Sequence, residues 1–127
     1  MTMPLIRVDM LKGKDAAFKK TLLESIHEGL VRSFGIEDWD RFARVCEYDA
    51  DSFEKPDFKS GDFMIIELTI FPGRSNEAKK DAIESITSLI SGNLGIRPED
   101  IFIVINEPPL QNWGMGGNQK GSPEGDT

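Results

Sequence analysis

Several residue groups in this chain have the types and spacing that chemistry requires. Met3-Pro4 stands directly before the apolar run from Leu5 to Leu11. Proline is tolerated at the first position of a strand, where its missing N–H needs no partner. If translation started at Met3 and that residue were removed, Pro4 would instead carry a free secondary amine. An α-amino group titrates near pH 8, burial or a nearby cation lowers that value, and the result is a general base at neutral pH. Met1 and Thr2 stand in front, and an unprocessed chain would lock the proline in an amide. Arg74 follows Phe-Pro-Gly, just ahead of a helical pattern. Its guanidinium fork, together with the backbone donors of a helix start, suits a carboxylate or phosphate; a solvated loop arginine is the plain alternative. Asp40 opens the second strand-like run of the first half, and Asp100 repeats it 60 positions on, so a structural role such as turn capping is its simplest use.

His27, in Ser-Ile-His-Glu, is the one histidine of the chain, and Cys46 is the one cysteine. Together they supply no set of metal ligands, so His27 is expected to be a packed or surface residue and no metal is expected. The stretch Glu-Pro-Pro-Leu-Gln-Asn-Trp113-Gly-Met-Gly-Gly could cradle phosphate with its glycines. No helical run follows it, so neither nucleotide fingerprint is met and no cofactor is expected. A tryptophan beside flexible glycines is better suited to closing a pocket or an interface.

The elements that must position these residues are duplicated. A shift of 60 lays residues 5–47 over 65–107 without a gap, and 12 of the 43 pairs are identical, among them Gly13/Gly73, Gly35/Gly95, Asp40/Asp100 and Phe42/Phe102. Chance would give about two or three. Each copy reads as strand, helix, strand. Leu5 to Leu11 and Phe63 to Phe71 are strand-like. Asp15 and Ser75 are N-cap candidates, followed by apolar residues at helical spacing: Phe18, Leu22, Ile26 and Leu30, then Ala82, Ile86, Leu89 and Ile90. Gly35 and Gly95 fall where a helix C-terminal glycine belongs. Phe42 to Tyr48 and Ile101 to Ile105 supply the second strands.

Right-handed crossovers put both helices on one face of a shared sheet. The expected fold is α/β, an α+β two-layer sandwich of tandem β-α-β units. Unit one covers about 4–48, a connecting loop or hairpin 49–62, unit two about 63–107, and a Gly-rich segment 108–127, all in one domain spanning 1–127. The opposite sheet face would then expose Ile65, Ile103 and Ile105, which predicts an oligomer that packs those faces together. The polar tail from Asn118 to Thr127 is expected to be disordered or laid over a neighbour.

Composition narrows the classes further. The formal net charge is -7, with 15 Lys+Arg against 22 Asp+Glu and no basic cluster, which argues against nucleic acid as the partner. No apolar run approaches the roughly 20 residues of a membrane span and no signal-peptide pattern opens the chain, so a cytoplasmic protein is expected. Cys46 is expected to be a small packed apolar residue.

Taken together, Met-Pro-Leu-Ile-Arg-Val at the front, Phe-Pro-Gly-Arg-Ser before the second helix, and the Glu-Pro-Pro-Leu-Gln-Asn-Trp-Gly-Met-Gly-Gly stretch resemble the tautomerase superfamily from Met3 to about Gly117. The likeness is to its fused two-unit members, such as malonate semialdehyde decarboxylase. It implies a homotrimer, with the catalytic amino-terminal proline at Pro4 and the carboxylate-binding arginine at Arg74. It also implies a water-activating aspartate at Asp40, a helix histidine at His27 and a pocket-walling aromatic at Trp113. Phe71 stands where the decarboxylase has a second arginine, and Phe42 and Phe102 where the short tautomerase has one. The expected activity is therefore keto–enol isomerisation of a small 2-keto acid, with Phe71 or Phe102 helping Trp113 keep the pocket dry. The alternatives are a non-catalytic trimeric module with a blocked proline, and a decarboxylase or hydratase activity in which Asp40 orients water. A small-anion binding protein using the Gly-rich tail is a further class.

Overall fold

The computed structural model describes residues 3–120. Its elements run β1 (Leu5–Leu11), α1 (Ala16–Phe34), β2 (Phe42–Tyr48), β3 (Met64–Thr69), α2 (Asn76–Leu94) and β4 (Ile101–Asn106), with a small hairpin of β5 (Gly114–Met115) and β6 (Asn118–Gln119) at the end. Both β-α-β units are present, and they share one four-stranded mixed sheet of order β2-β1-β3-β4. Within each unit the strands are parallel; β1 and β3 meet antiparallel at the centre. The third strand is shorter than the apolar run suggests, since Phe63, Ile70 and Phe71 flank it as loop residues.

The two-residue period of the central strands builds the core. Ile6, Val8 and Met10 of β1 and Met64, Ile66 and Leu68 of β3 point to one face, and all are buried. Leu22, Ile26 and Leu30 of α1 and Ala82, Ile86 and Ile90 of α2 close over them. Each such fully buried aliphatic side chain contributes about 1.5–3 kcal/mol. The helices approach so closely at Gly29 that a Cβ there would lie 2.6 Å from Ile86 Cγ1.

The duplication extends to individual contacts. Asp15 and Ser75 each accept the N–H three residues on, from Phe18 and Ala78. Gly35 and Gly95 each take the left-handed conformation that closes a helix. Lys19 pairs with Glu47 of β2 in one unit and Lys79 with Glu107, the residue after β4, in the other.

The outer sheet face differs from expectation. Ile103 and Ile105 of β4 pack against the core on the helix side, and it is Phe102 and Val104 that face outward and are exposed. The starting phase of the strand decides this, because a shift of one residue exchanges the two faces. Ile65 does lie on the outer side, with Arg7, Asp9, Cys46 and Tyr48. There Tyr48 donates to Asp9 Oδ1 at 2.6 Å, a bond that raises the phenol above its ordinary range, while Arg7 holds both. At one end a run of tilted ring contacts, Tyr48 to Phe53 to Phe63 to Phe102, brings the connecting segment over the sheet. Asn118 and Gln119 are ordered as β6 rather than tail, and Gly116 and Gly117 form the positive-φ turn of that hairpin. The rest of the expected tail, 121–127, and the residues Met1 and Thr2 lie outside the described residues. Among the described residues no helix is long and apolar enough to cross a membrane, and no group of His, Cys, Asp and Glu is arranged to hold a metal.

Candidate active site

Parallel pairing within units and antiparallel pairing between them bring the start of β1 beside the end of β3. Leu5 is level with Thr69, so Pro4 is carried next to Ile70 and the loop that follows. In that loop Gly73 adopts φ 117, a backbone conformation that L side chains rarely take. It turns the chain into α2 and leaves Arg74 over the end of α1. Pro4, Phe34, Ile70, Phe71, Pro72, Gly73 and Arg74 thus line one cavity of about 300 Å³.

Arg74 is held by the first unit. Its Nη1 donates to the Phe34 carbonyl at 2.9 Å, and its guanidinium carbon lies 4.6 Å from the Phe34 ring centre. Phe34 is the last residue of α1, so the cation sits at the negative end of a helix dipole and satisfies one of its unpaired carbonyls. Nε and Nη2 have no protein partner among the described residues and present a bidentate edge. The arginine is half-buried rather than fully solvated.

Pro4 is buried, and Met3 before it is 8% exposed with φ 35, a left-handed conformation that strains a residue with a Cβ. The Met3 N–H donates to Asp40 Oδ2 at 3.0 Å. Asp40 is itself buried and lies two residues before β2, in the loop after α1. That carboxylate therefore holds the residue directly before Pro4, although 36 positions separate Asp40 from Pro4 in the sequence. Trp113 meets the ring of Phe71 edge-on at 4.6 Å and donates its indole N–H to the Pro108 carbonyl at 3.1 Å. It forms an outer aromatic wall behind the cavity-lining Phe71.

Two expected members fall elsewhere. Phe102 shares a sheet row with Ile65 and Asp9, five positions along β1 from Pro4, or ~16 Å along the strand direction. It lines a different hollow, with Pro56, Phe63 and Pro98. His27 is buried in the structure and does not line the cavity; the group near its Nε2 is Asp38, at 3.7 Å. Sequence reasoning in turn missed Phe34 and Ile70 as lining residues. Phe34 had a signal available, since it directly precedes the helix-ending Gly35. Its aromatic ring was attributable to core packing by the same pattern.

Fold and site define a class: a protein of two fused β-α-β units, with a proline and an arginine facing one pocket beneath an aromatic wall. The tautomerase-enzyme family model matches residues 40–116. A probable tautomerase of Bacillus subtilis, YusQ, is 25% identical over 119 residues, covering 90% of this chain and 94% of that protein. Among solved structures, FG41 malonate semialdehyde decarboxylase inhibited by 3-bromopropiolate superposes with a TM-score of 0.79 at 26% identity, covering 93% of this chain and 91% of that one. An R7 fused 4-OT, an asymmetric trimer, superposes at 0.81 with 16% identity over 91% of this chain and 94% of that one, a likeness of fold. The chain belongs to the tautomerase superfamily and is, by that homology, a tautomerase-family enzyme.

Proposed function

We propose that this chain catalyses keto–enol proton transfer on a small 2-keto acid as a homotrimer, with Pro4 as the proton carrier. The observation that carries the reading is that Pro4 and Arg74, 70 positions apart, line the same cavity. A freed Pro4 would take a proton from carbon and return it to oxygen, or the reverse. The open edge of Arg74 would grip the substrate carboxylate and stabilise the charge that develops on the enolate oxygen. Phe71, backed by Trp113, would exclude water and strengthen that interaction. With one arginine at the cavity, a monocarboxylate is the better fit than a dicarboxylate.

Asp40 belongs to this reading as the anion beside the amine. Its carboxylate now holds the Met3 N–H, and after removal of the preceding residues it would lie near the new amino terminus. There it would favour the protonated amine and could orient a water in a hydrolytic or decarboxylating side reaction. The trimer is supported by the fused 4-OT neighbour, and the partly apolar outer sheet face, with Ile65, Phe102 and Val104, is the surface available for it.

A second reading has its own observation. Met3 is buried and hydrogen-bonded, as a residue retained in the mature protein would be, and a retained Met3 makes Pro4 an amide without a base. Intact mass of the native protein, followed by turnover of phenylenolpyruvate, separates the two. A chain beginning at Pro4 with turnover abolished by Pro4→Ala is the expected result. A mass that retains Met3 with no turnover, or turnover untouched by Pro4→Ala, refutes the proline mechanism.

A further inference from the structure

His27 is an unusual residue to find inside this core. It is 6% exposed, and neither ring nitrogen has a hydrogen-bond partner. Unpaired buried polar groups are unfavourable and rare, so a neighbour that can satisfy one conditionally is significant. That neighbour is Asp38, whose Oδ1 lies 3.7 Å from Nε2, too far for a hydrogen bond and less than 1 Å beyond the range of a charge-assisted one. The same Oδ1 accepts Arg41 Nη2 at 2.8 Å, and Arg41 Nη1 in turn donates to Glu24 of α1 at 2.7 Å. Among the described residues Asp38 is the carboxylate within 4 Å of the imidazole, with Arg41 and Glu24 the charged groups joined to it. Arg41, and to a smaller extent His27, hold the Asp38 carboxyl below its ordinary range, so it remains an anion across the range in which histidines change charge.

The cluster occurs in one copy of the repeat. The positions matching His27, Asp38 and Arg41 in unit two are Thr87, Pro98 and Ile101. Unit one is the copy that carries Pro4, and Asp38 lies two residues before Asp40, whose carboxylate reaches the Met3 N–H. The geometry points to His27 as a positioning residue that acts through Asp38. When the imidazole takes up a proton from solvent, its N–H draws Asp38 inward by less than 1 Å, and the loop carrying Asp40 moves with it. Neutral imidazole releases the loop. The placement of the Asp40 carboxylate at the segment that leads into Pro4 thereby depends on pH. The consequence for turnover rests on the proline reading above, but the coupling of His27 to the loop does not.

Since the chain has one histidine, its Cε1–H resonance can be followed by NMR between pH 5 and 8 without ambiguity. The backbone amides of Asp38 and Asp40 are expected to shift with the same midpoint as the imidazole. Asp38→Asn changes a side chain that is 93% exposed and should leave the fold intact. In that variant the Asp40 amide loses its response to the imidazole, and the matching step disappears from the pH profile of phenylenolpyruvate kcat/KM. Amides that do not follow the imidazole overturn the inference, as does an Asp38→Asn protein whose Asp40 amide still follows it or whose turnover step is unchanged. If Pro4→Ala leaves turnover intact while the amides still follow His27, the proline mechanism fails and the coupling stands.

Discussion

Asp100 is the repeat mate of Asp40, and the structure gives it a purely structural set of partners whose loss can be worked out. Its carboxylate accepts the Ser60 N–H at 3.0 Å, the Ser60 hydroxyl at 2.5 Å and Arg97 Nε at 2.8 Å, while 1% of the residue remains exposed. In Asp100→Asn one amide oxygen still faces Ser60, but an NH2 group replaces an acceptor opposite another donor and the charge is gone. Hydrogen bonds to charged groups contribute about 1.5–3 kcal/mol. Arg97 is half exposed, which limits the ion-pair part, so a total near 2–3 kcal/mol is expected for the variant. For a chain of this size about 4 °C is lost per kcal/mol, a fall in Tm of about 10 °C at pH 7. Arg97 and then Ser60 hold the Asp100 carboxyl far below its ordinary value of 3.8. A carboxyl depressed by folding stabilises above its unfolded pKa and loses that contribution as pH falls through the folded one. The gap in Tm between the two proteins should therefore be constant from pH 7 to about 5 and narrow progressively below about pH 4. Thermal unfolding by circular dichroism along that pH series tests it. A variant that matches the native Tm at pH 7, or a gap that does not narrow in acid, would refute the assignment of Asp100 as an ionised clamp.

Two further outcomes follow from the same geometry. Arg74→Ala should reduce kcat/KM for an enol acid about 100-fold or more if the guanidinium stabilises developing charge; Arg74→Lys should recover little, because an ammonium lacks the bidentate edge. Steady-state kinetics resolved into kcat and KM checks this, and an effect on Tm alone would leave Arg74 with only its bond to the Phe34 carbonyl. Gly29→Ala places a methyl 2.6 Å from Ile86 Cγ1 and 3.1 Å from Ile86 N. The helices must separate, at a cost of about 1–3 kcal/mol, and calorimetry that showed no loss would mean that the interface is looser than this contact implies.

The fold was legible because its signals are local and repeated. Asp15 and Ser75, Gly35 and Gly95, and the helical spacing of Leu22, Ile26 and Leu30 each specify a boundary or a face through interactions within a few residues, and all took the expected place. The strand β4 was harder: Ile-Phe-Ile-Val-Ile is apolar at every position, so its pattern contains no phase, and packing against the helices selected Ile103 and Ile105. The cavity was legible only in part. Pro4, Phe71 and Arg74 surround turns whose residue types stand out in the sequence. Phe34 enters through a helix end brought over by tertiary packing, and Phe102 is excluded by register, which no spacing within its own strand could reveal.

The same duplication that explains the fold also explains why the cavity is one-sided. The two units share their caps, their Lys–Glu braces and a buried aspartate, so their backbones are matched; the differences lie where chemistry would occur. Met64 occupies the position of Pro4 and is a buried internal residue of β3, without any route to a free amine. Lys14 occupies the position of Arg74 and its ammonium is bound by Asp62, whereas Arg74 keeps two nitrogens open. Asp100 is saturated by Arg97 and Ser60, whereas Asp40 reaches the segment that leads into Pro4. At each of these positions one copy packs or pairs its group locally and the other directs it at the cavity or at the segment before β1: unit one does so with Pro4 and Asp40, unit two with Arg74. A 14.2 kDa chain with an acidic balance must build its anion site against the overall field. Drawing Pro4 from one unit and Arg74 from the other, while their repeat mates Met64 and Lys14 are packed or paired, is how this sequence can do so.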